Sequence, residues 1–263
     1  MEKIRIGLFG FGRTGKIVAN EFVKDSAFSL KWVIRKTHKD EHKFATDLLG
    51  FEFNEGEIFS ADEISARKQA GGNDSFFKNN PVDIIVDFAN SNAVNYYEKA
   101  AQLGIKIISA ISNYEEQDLK KLLSLGSSTT VLYSPNITLG INFLLIASQV
   151  LQEIAPHADI EIVEEHFREK QDISGTAKKL ASLLNLDEKK HVNSIRVGGI
   201  VGKHEIIFGL QNQTIRLAHD SISRAAFGQG AVFASKWLIN KPAGLYSMEQ
   251  IITEMFKKHL PVY

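Results

Sequence analysis

The stretch Ile4-Arg5-Ile6-Gly7-Leu8-Phe9-Gly10-Phe11-Gly12-Arg13-Thr14-Gly15 joins an apolar run to three glycines in the pattern Gly-x-Gly-x-x-Gly. The run predicts a buried strand, and apolar residues at helical spacing beyond it predict a helix through about residue 24. In such a turn the first glycine bends the chain, the second admits a pyrophosphate, and the third lets the helix pack on the strand. A glycine-rich turn without a ligand is the alternative. A Walker A loop is excluded, because no Gly-Lys-Ser/Thr follows. We therefore predict dinucleotide binding.

The residues after the second predicted strand bear on which dinucleotide binds. NAD sites usually carry an acidic residue about 20 residues beyond the glycine turn, where it holds the ribose hydroxyl. Here the strand 30–34 is followed by Arg35-Lys36-Thr37-His38-Lys39. Basic side chains suit a ribose 2′-phosphate, so Arg35 and Lys36 predict that NADPH is preferred and that NADH is possible. A solvated basic loop is the alternative.

Strands and helices alternate through the first half of the chain. Further strands are predicted at 83–88, 105–109 and 130–133, with helices at about 92–103 and 115–124, whereas 35–80 shows no clear pattern. This alternation is typical of a parallel sheet. Strands predicted at 159–166, 193–201, 205–209 and 214–219, with helices at 142–154, 175–184 and 223–239, indicate an α+β second half with a largely antiparallel sheet.

Composition excludes several classes of protein. The chain has 263 residues, no cysteine, and 31 basic against 31 acidic residues. Disulfide scaffolds, thiolate metal sites and cysteine nucleophiles are therefore excluded, and zero net charge argues against a nucleic-acid partner. We expect no metal site, no membrane span and a cytoplasmic location, since the start resembles no signal peptide and no apolar run is long enough to span a bilayer.

The densest group of chemically active side chains lies in the second half, in the stretch 166–177 after a predicted strand. His166 can exchange a proton near neutral pH, and Lys170 can hold a carboxylate or act as an acid. Ser174-Gly175-Thr176 opens a predicted helix, whose hydroxyls and free N–H groups suit an anion. A polar loop with Ser174 as an ordinary N-cap is the alternative. His204 and His219 are expected to make structural hydrogen bonds.

Together with the glycine turn, this stretch resembles the 4-hydroxy-tetrahydrodipicolinate reductase (dihydrodipicolinate reductase) family of lysine biosynthesis. That family's signature is Glu-x-His-His-x-x-Lys-x-Asp-Ala-Pro-Ser-Gly-Thr-Ala. The chain has Glu164-Glu165-His166-Phe167-Arg168-Glu169-Lys170-Gln171-Asp172-Ile173-Ser174-Gly175-Thr176-Ala177. Asp87-Phe88 and the stretches 134–142, 196–205 and 219–231 resemble further family motifs, so only about 35–80 lies outside the likeness.

The resemblance implies an NAD(P)H-dependent oxidoreductase that reduces a cyclic dicarboxylate imine or enamine. The substrate would be 4-hydroxy-tetrahydrodipicolinate, converted to tetrahydrodipicolinate in diaminopimelate and lysine biosynthesis. The implied fold is α/β: a Rossmann-type dinucleotide-binding domain at 1–135, with a C-terminal segment of about 240–263 returning to it. An α+β domain at 136–239, with an open, mostly antiparallel sheet, would bind the substrate and form a homotetramer.

The resemblance also implies roles for individual residues. His166 and Lys170 match the catalytic pair. The implied substrate contacts are Phe167, Ser174, Gly175, Thr176 and Ile111. The implied cofactor contacts are Gly10, Phe11, Gly12, Arg13, Thr14, Gly15, Arg35, Lys36, Phe88, Ser109, Ala110, Ser134, Pro135, Asn136 and Ile137.

The chain departs from the family pattern at several of these positions. Phe167 stands where the family has its second histidine, and the family's Gly-Thr-Thr-Gly loop reads Ser109-Ala110-Ile111-Ser112 here. Between Asp172 and Ser174 the chain has one residue where the family has two, and the proline is absent. Arg35 also replaces an acidic residue. Loss of a hydrogen bond to a substrate can lower efficiency by orders of magnitude. The alternatives are therefore a family member acting on a different small carboxylated substrate and a non-catalytic NADPH-binding sensor. A related two-domain dehydrogenase is disfavoured by Lys170 and the Ser-Gly-Thr stretch.

Overall fold

The computed structural model describes residues 2–36, 42–64 and 73–259. The end of the predicted basic loop, 37–39, and the last residues of the chain lie outside this range. The described strands are β1 Ile4–Phe9, β2 Phe28–Arg35, β3 Glu57–Ser60, β4 Ile84–Asp87, β5 Lys106–Ser109, β6 Thr130–Tyr133, β7 Asp159–His166, β8 Val192–Arg196, β9 Lys203–Leu210, β10 Gln213–Asp220 and β11 Gly244–Tyr246. The described helices include α1 Arg13–Lys24, α2 Ala45–Leu49, α3 Asn73–Asn79, α4 Val94–Gln102, α5 Glu116–Ser124, α6 Leu139–Ile154, α7 Gly175–Leu183, α8 Glu188–His191, α9 Ala225–Leu238 and α10 Met248–His259.

The first unit is built on a parallel sheet. Its strand order is β11-β6-β5-β4-β1-β2-β3, and every neighbouring pair is parallel. All four residues of β4 are buried, as expected for a parallel strand covered on both faces. Phe9, Trp32, Phe76 and Tyr97 form part of an aromatic core beside the sheet. The order 3-2-1-4-5-6 in six of these strands is that of a Rossmann-type domain, which confirms the predicted fold class.

The second unit is built on a mixed four-stranded sheet of order β10-β9-β7-β8. β7 and β9 are antiparallel, as are β9 and β10, whereas β7 and β8 are parallel. The turn between β9 and β10 is a two-residue hairpin loop formed by Gln211 and Asn212. Alternate residues of β7 and β9 are buried, and they pack with apolar residues of α6 and α7. The core of the second unit therefore lies between this face of the sheet and the two helices.

Several elements differ from the sequence prediction. The segment 35–80, which showed no pattern, contains α2, β3 and α3, and the strand β11 was not predicted. Elements of three to seven residues are too short to display a clear hydrophobic period. The strand predicted at 193–201 ends at Arg196, because the chain turns there and Gly198 has a positive φ of 55°.

The chain divides into two compact units, 1–137 with 227–248, and 138–226 with 249–263. The predicted returning segment was 240–263, whereas here 227–248 belongs with the first unit and 249–263 with the second. Assigning cofactor and substrate binding to separate units stays a prediction. Among the described residues, no helix is long and apolar enough to cross a membrane, and no group of acidic and histidine side chains could hold a metal ion.

Candidate active site

The glycine turn has the geometry that a pyrophosphate requires. Gly10 has a φ of +89°, and a Cβ there would lie 2.7 Å from the Phe88 carbonyl carbon. A Cβ on Gly15 would lie 1.7 Å from the Gly10 oxygen, so α1 packs against the turn only because this residue is glycine. Gly12 is the N-cap of α1; among the described residues, nothing lies within 4 Å of where its Cβ would be, and no side chain caps the helix. The helix N-terminus thus faces open space, which fits an anionic group.

A cavity of about 630 Å³ extends from this turn to the end of β2. Arg35 and Lys36 line it. Their contact with the ribose end of a cofactor stays a prediction. Asp62 lines it as well, an acidic residue that the sequence analysis missed because it lies in the segment without a pattern. The remaining lining residues are Phe9, Gly10, Phe11, Gly12, Ile34, Ala61, Phe88, Ala89, Asn90, Asn92, Ala93 and Tyr96.

A second cavity, of about 620 Å³, also lies within the first unit. It shares Phe88, Ala89 and Asn90 with the first cavity, so the loop after β4 borders both. Its other lining residues are Thr14, Ser91, Ala110, Ile111, Ser112, Asn113, Pro135, Ile137 and Phe227. The predicted residues Thr14, Ala110, Ile111, Pro135 and Ile137 therefore meet around one space.

The other predicted cofactor contacts lie behind these cavities or away from them. Ser109 and Ser134 are buried, and their hydroxyls bond to Tyr114 and to the Asn136 carbonyl respectively. Gly15 is buried against Gly10, and Arg13 is exposed. These residues shape the loops, whereas direct contact with a ligand by their side chains stays a prediction.

A buried carboxylate supports the loop after β4. Asp87 has no solvent exposure; it accepts a hydrogen bond from the Ala89 N–H at 2.8 Å and one from the Tyr97 hydroxyl at 3.0 Å. The Tyr114 hydroxyl lies 3.4 Å from that of Tyr97 and 2.8 Å from Ser109 Oγ. Burial raises the pKa of Asp87 to about 7, although both hydrogen bonds lower it. The network joins the ends of β4 and β5 to α4, and sequence reasoning did not find it.

In the second unit, His166 is held by a buried acid. Nδ1 of His166 donates a hydrogen bond to Oε2 of Glu164, which has no solvent exposure. Oε1 of Glu164 accepts hydrogen bonds from Ser194 Oγ at 2.6 Å and from Arg196 Nη2 at 2.5 Å. Glu164 and His166 share a face of β7 because their spacing of two matches the strand period. That period would have revealed Glu164 in the sequence, whereas Ser194 and Arg196 come from another strand.

The electrostatics of this group set its charge states. Burial raises the pKa of Glu164, but hydrogen bonds from Arg196, Ser194 and His166 outweigh burial and bring it to about 2. Burial lowers the pKa of His166, as do the charges of Lys170 and Arg196, against the opposing effect of Glu164. At neutral pH the pair is therefore a carboxylate and a neutral imidazole with its proton on Nδ1. Nε2 of His166 then carries a lone pair and can accept a proton.

The loop after β7 presents Lys170 and is held by the same arginine. Nε of Arg196 donates to the Lys170 carbonyl at 3.0 Å, and Nη2 donates to the Asp172 carbonyl at 2.9 Å. Lys170 is half-buried, whereas Phe167, at the position of the family's second histidine, is 37% exposed. One guanidinium thus fixes both the acid behind His166 and the backbone that carries Lys170.

The start of α7 completes the site in this unit. Ser174 is the N-cap, and its Oγ accepts the Ala177 N–H at 3.0 Å. This is the capping role that the sequence left open as the alternative, and anion binding by this stretch stays a prediction. Gly175 is exposed with open space around it, and Thr176 is half-buried. Ser174 Oγ also lies 2.9 Å from Nε2 of His204, whose ring packs edge-on against His166 at 5.3 Å. His204 thereby connects Ser174 with His166 in the second unit. The charge of Lys170 lowers the pKa of His166.

Comparisons with known proteins show which family the chain belongs to. A family profile described as the dihydrodipicolinate reductase N-terminus matches residues 4–137, and one described as its C-terminus matches 137–252. Proteins named 4-hydroxy-tetrahydrodipicolinate reductase are similar to the chain. The protein from Caldanaerobacter subterraneus subsp. tengcongensis is 33% identical over 65% of this chain and 76% of its own. That from Buchnera aphidicola subsp. Schizaphis graminum is 26% identical over 96% and 98%.

Solved structures share the fold. Dipicolinate-bound dihydrodipicolinate reductase from Paenisporosarcina sp. TG-14 superposes with a TM-score of 0.73 at 19% identity, over 95% of this chain and all of that one. An amine dehydrogenase from Mycobacterium smegmatis superposes with a TM-score of 0.60 at 12% identity, over 94% and 96%. The two family profiles together cover nearly the whole chain. The chain is an oxidoreductase that carries an NAD(P)-binding Rossmann domain and belongs to the dihydrodipicolinate reductase family.

Proposed function

We propose that the chain reduces 4-hydroxy-tetrahydrodipicolinate to tetrahydrodipicolinate with NADPH, in the formation of diaminopimelate and lysine. The reaction takes one hydride and one proton and releases one water. The observation that carries the proposal is the grouping of His166, Lys170 and the Ser174 helix start in one unit of a member of this family. A cyclic substrate with two carboxylates matches a site with the Lys170 cation, the His166 imidazole and an open helix N-terminus.

Ser174, Gly175 and Thr176 would hold one substrate carboxylate. The first N–H groups of a helix are unpaired within the helix and carry partial positive charge, so a carboxylate is favoured there. The open space around Gly175 leaves room for such a group close to the backbone.

Lys170 would orient the dianionic substrate and stabilise the negative charge that develops on hydride addition. His166 is neutral in the free protein, so it would not donate a proton until a dianion nearby raised its pKa. Lys170 is therefore the first candidate for the proton donor, with His166 as the acid/base that a bound substrate charges. The Glu164 carboxylate would stabilise the imidazolium once it forms.

A bound nicotinamide cofactor would supply the hydride. Its pyrophosphate would rest on the open helix start at Gly12, and the cavity of Arg35 and Lys36 would hold the ribose 2′-phosphate. The second cavity, with Phe88, Ala110 and Pro135 on its walls, would receive the nicotinamide end. Arg35 and Lys36 are the reason to expect NADPH in preference to NADH.

The apolar residues Phe167 and Ile111 favour a second candidate, a family member that reduces a different small carboxylated substrate. Phe167 is exposed where the family has a histidine, and Ile111 lines the second cavity where the family has a threonine. Neither can donate a hydrogen bond to a carboxylate. A non-catalytic NADPH sensor would carry the same residues but show no turnover.

We also propose that the protein is a homotetramer assembled through the sheet of the second unit. One face of this sheet packs against α6 and α7, while the other face carries Glu165, Lys203, Glu205 and Arg216. Lys203 pairs with Glu165 at 2.8 Å, and Arg216 pairs with Glu205 at 2.8 Å, so these four charges are paired within one chain. Light scattering at micromolar concentration tests the proposal, and a clean monomer contradicts it.

Steady-state turnover tests the reaction. Freshly generated 4-hydroxy-tetrahydrodipicolinate is mixed with the protein and either NADPH or NADH, and cofactor oxidation is followed together with formation of the reduced product. We expect turnover with both cofactors and a lower KM for NADPH. Turnover only with another cyclic carboxylated imine supports the second candidate, and NADPH binding without any turnover supports the sensor.

A further inference from the structure

His204 lies behind Ser174 and has no role in the proposed reaction. The register of β7 and β9 sets His204 opposite Glu164, and its ring is buried. Its Nε2 lies 2.9 Å from Ser174 Oγ, while its Nδ1 has no hydrogen-bond partner within the part of the chain that the structure describes. A neutral histidine has two possible tautomers. With the proton on Nε2 the ring donates a hydrogen bond to Ser174 Oγ, and with the proton on Nδ1 it accepts one from Ser174 Oγ.

The surroundings of Nδ1 decide which tautomer of His204 is favoured. Burial lowers the pKa of His204 to about 4, with the charge of His166 contributing, so the ring is neutral at pH 7. If the proton were on Nδ1, a buried N–H would lack an acceptor, which proteins rarely tolerate. With the proton on Nε2, Nδ1 keeps only an unshared lone pair. The favoured tautomer therefore donates from Nε2 to Ser174.

The hydroxyl of Ser174 is then committed as a hydrogen-bond donor. A serine oxygen has two lone pairs and one proton. One lone pair accepts the Ala177 N–H at 3.0 Å, and the other accepts Nε2–H of His204. The hydroxyl proton alone is left, and it can bond only to an acceptor such as a carboxylate.

We propose that His204 is a positioning residue that commits the Ser174 hydroxyl to donate its proton to a carboxylate of the substrate. The proposal rests on the proposed function for the identity of that ligand. The tautomer inferred for His204 does not depend on the proposed function. His204 itself need not touch the substrate, because it acts through Ser174.

Substitutions that separate the donor from the ring test the proposal. His204→Gln places an amide N–H near the position of Nε2, whereas His204→Leu removes the donor. Dipicolinate is the probe, and its affinity for the NADPH-loaded protein is measured by calorimetry. We expect His204→Leu to weaken dipicolinate about tenfold, in line with loss of one hydrogen bond to a charged group, and His204→Gln to recover most of this loss. His219→Leu changes a half-buried histidine of the same unit that is not among the described hydrogen-bond partners of Ser174, and it should stay within about twofold of the parent.

A double-mutant cycle shows whether the effect passes through Ser174. In a Ser174→Ala background, His204→Leu should weaken dipicolinate by less than about twofold. An undiminished tenfold loss in that background overturns the proposal, as does an equal loss in His204→Leu and His219→Leu. Thermal unfolding of each variant separates loss of the helix cap from loss of the ligand contact.

The tautomer itself gives a readout independent of the substrate. Nitrogen-15 NMR of the histidine rings should show His204 neutral at pH 7 with its proton on Nε2. A proton on Nδ1 overturns the proposal even if the reaction is as proposed. If the parent neither binds dipicolinate nor reduces 4-hydroxy-tetrahydrodipicolinate, the proposed function fails. In that case the Nε2–H tautomer would still support the role of His204 toward a different anion.

Discussion

Arg196 Nη2 lies 2.5 Å from Oε1 of Glu164, and the ion pair secures a carboxylate that has no contact with solvent. The same guanidinium bonds to the Lys170 and Asp172 carbonyls. The two catalytic candidates, His166 and Lys170, are therefore held through one arginine. A buried pair of this kind is strongly destabilised when one partner is removed, because the other charge is left without compensation.

Glu164→Gln should therefore destabilise the protein by about 3 kcal/mol at pH 7. The pKa of Glu164 is lowered to about 2 in the folded chain, against 4.5 for a free glutamate, so the unfolded chain binds more protons as pH falls. The stability that the carboxylate contributes is present above about pH 4.5 and is lost as pH falls toward about 2. The difference between parent and variant should shrink over that window.

Urea unfolding at pH 7 and at pH 3 measures this difference. Glu153→Gln, at an exposed position of α6, is the matched control and should stay within about 0.5 kcal/mol of the parent at both pH values. A variant that is as stable as the parent at pH 7 would show that the Glu164 group contributes nothing to the fold.

Asp87→Asn should have the opposite pH dependence. The folded pKa of Asp87 is raised to about 7 from 3.8, so the parent loses stability as pH rises through this interval. An asparagine keeps an acceptor for Ala89 and can donate to Tyr97, without a charge to bury. We expect the variant to be more stable than the parent at pH 8.5, by on the order of 1 kcal/mol or more, and no more stable at pH 4.

Unfolding curves of Asp87→Asn at the two pH values check the sign. Asp159→Asn, an exposed change at the start of β7, controls for loss of a surface charge. If Asp87→Asn destabilises the protein more at pH 8.5 than at pH 4, Asp87 is a stabilised carboxylate in the folded parent.

Replacing both Arg35 and Lys36 with alanine should narrow the preference for NADPH. Both line the cavity beside the glycine turn, and a guanidinium or ammonium binds a phosphate by charge-assisted hydrogen bonds. NADPH affinity should fall about tenfold or more while NADH affinity changes little. Lys31→Ala, at an exposed position of β2, is the control. Equal affinity of the parent for both cofactors contradicts this assignment.

The parts of the site that a sequence can predict are those carried by neighbouring residues. The glycine turn and the Ser174 cap each form within about six residues, and the structure confirms their local geometry. Glu164 could also have been found, since it stands two residues from His166 on a strand.

The other partners depend on strand pairing, which no local pattern fixes. Arg196 reaches Glu164 across 32 residues, and His204 reaches Ser174 across 30. A shift of one residue in the pairing of β7 and β9 would turn His204 to the opposite face of the sheet. Asp62 was missed for a different reason. It lines the cavity beside the glycine turn, but it lies in a segment whose short elements show no hydrophobic period.

The central claim is that the site around Lys170 carries out the reaction, and the kcat of Lys170→Ala tests it most directly. Arg168→Ala, an exposed change in the same loop, is the matched control, and NADPH affinity is measured for both. Because groups that stabilise developing charge typically contribute about 10²–10³ in kcat, we expect a fall of that size for Lys170→Ala. Arg168→Ala should keep at least about half of the parent's kcat, with NADPH affinity unchanged in both. A kcat for Lys170→Ala equal to that of the parent would contradict the account.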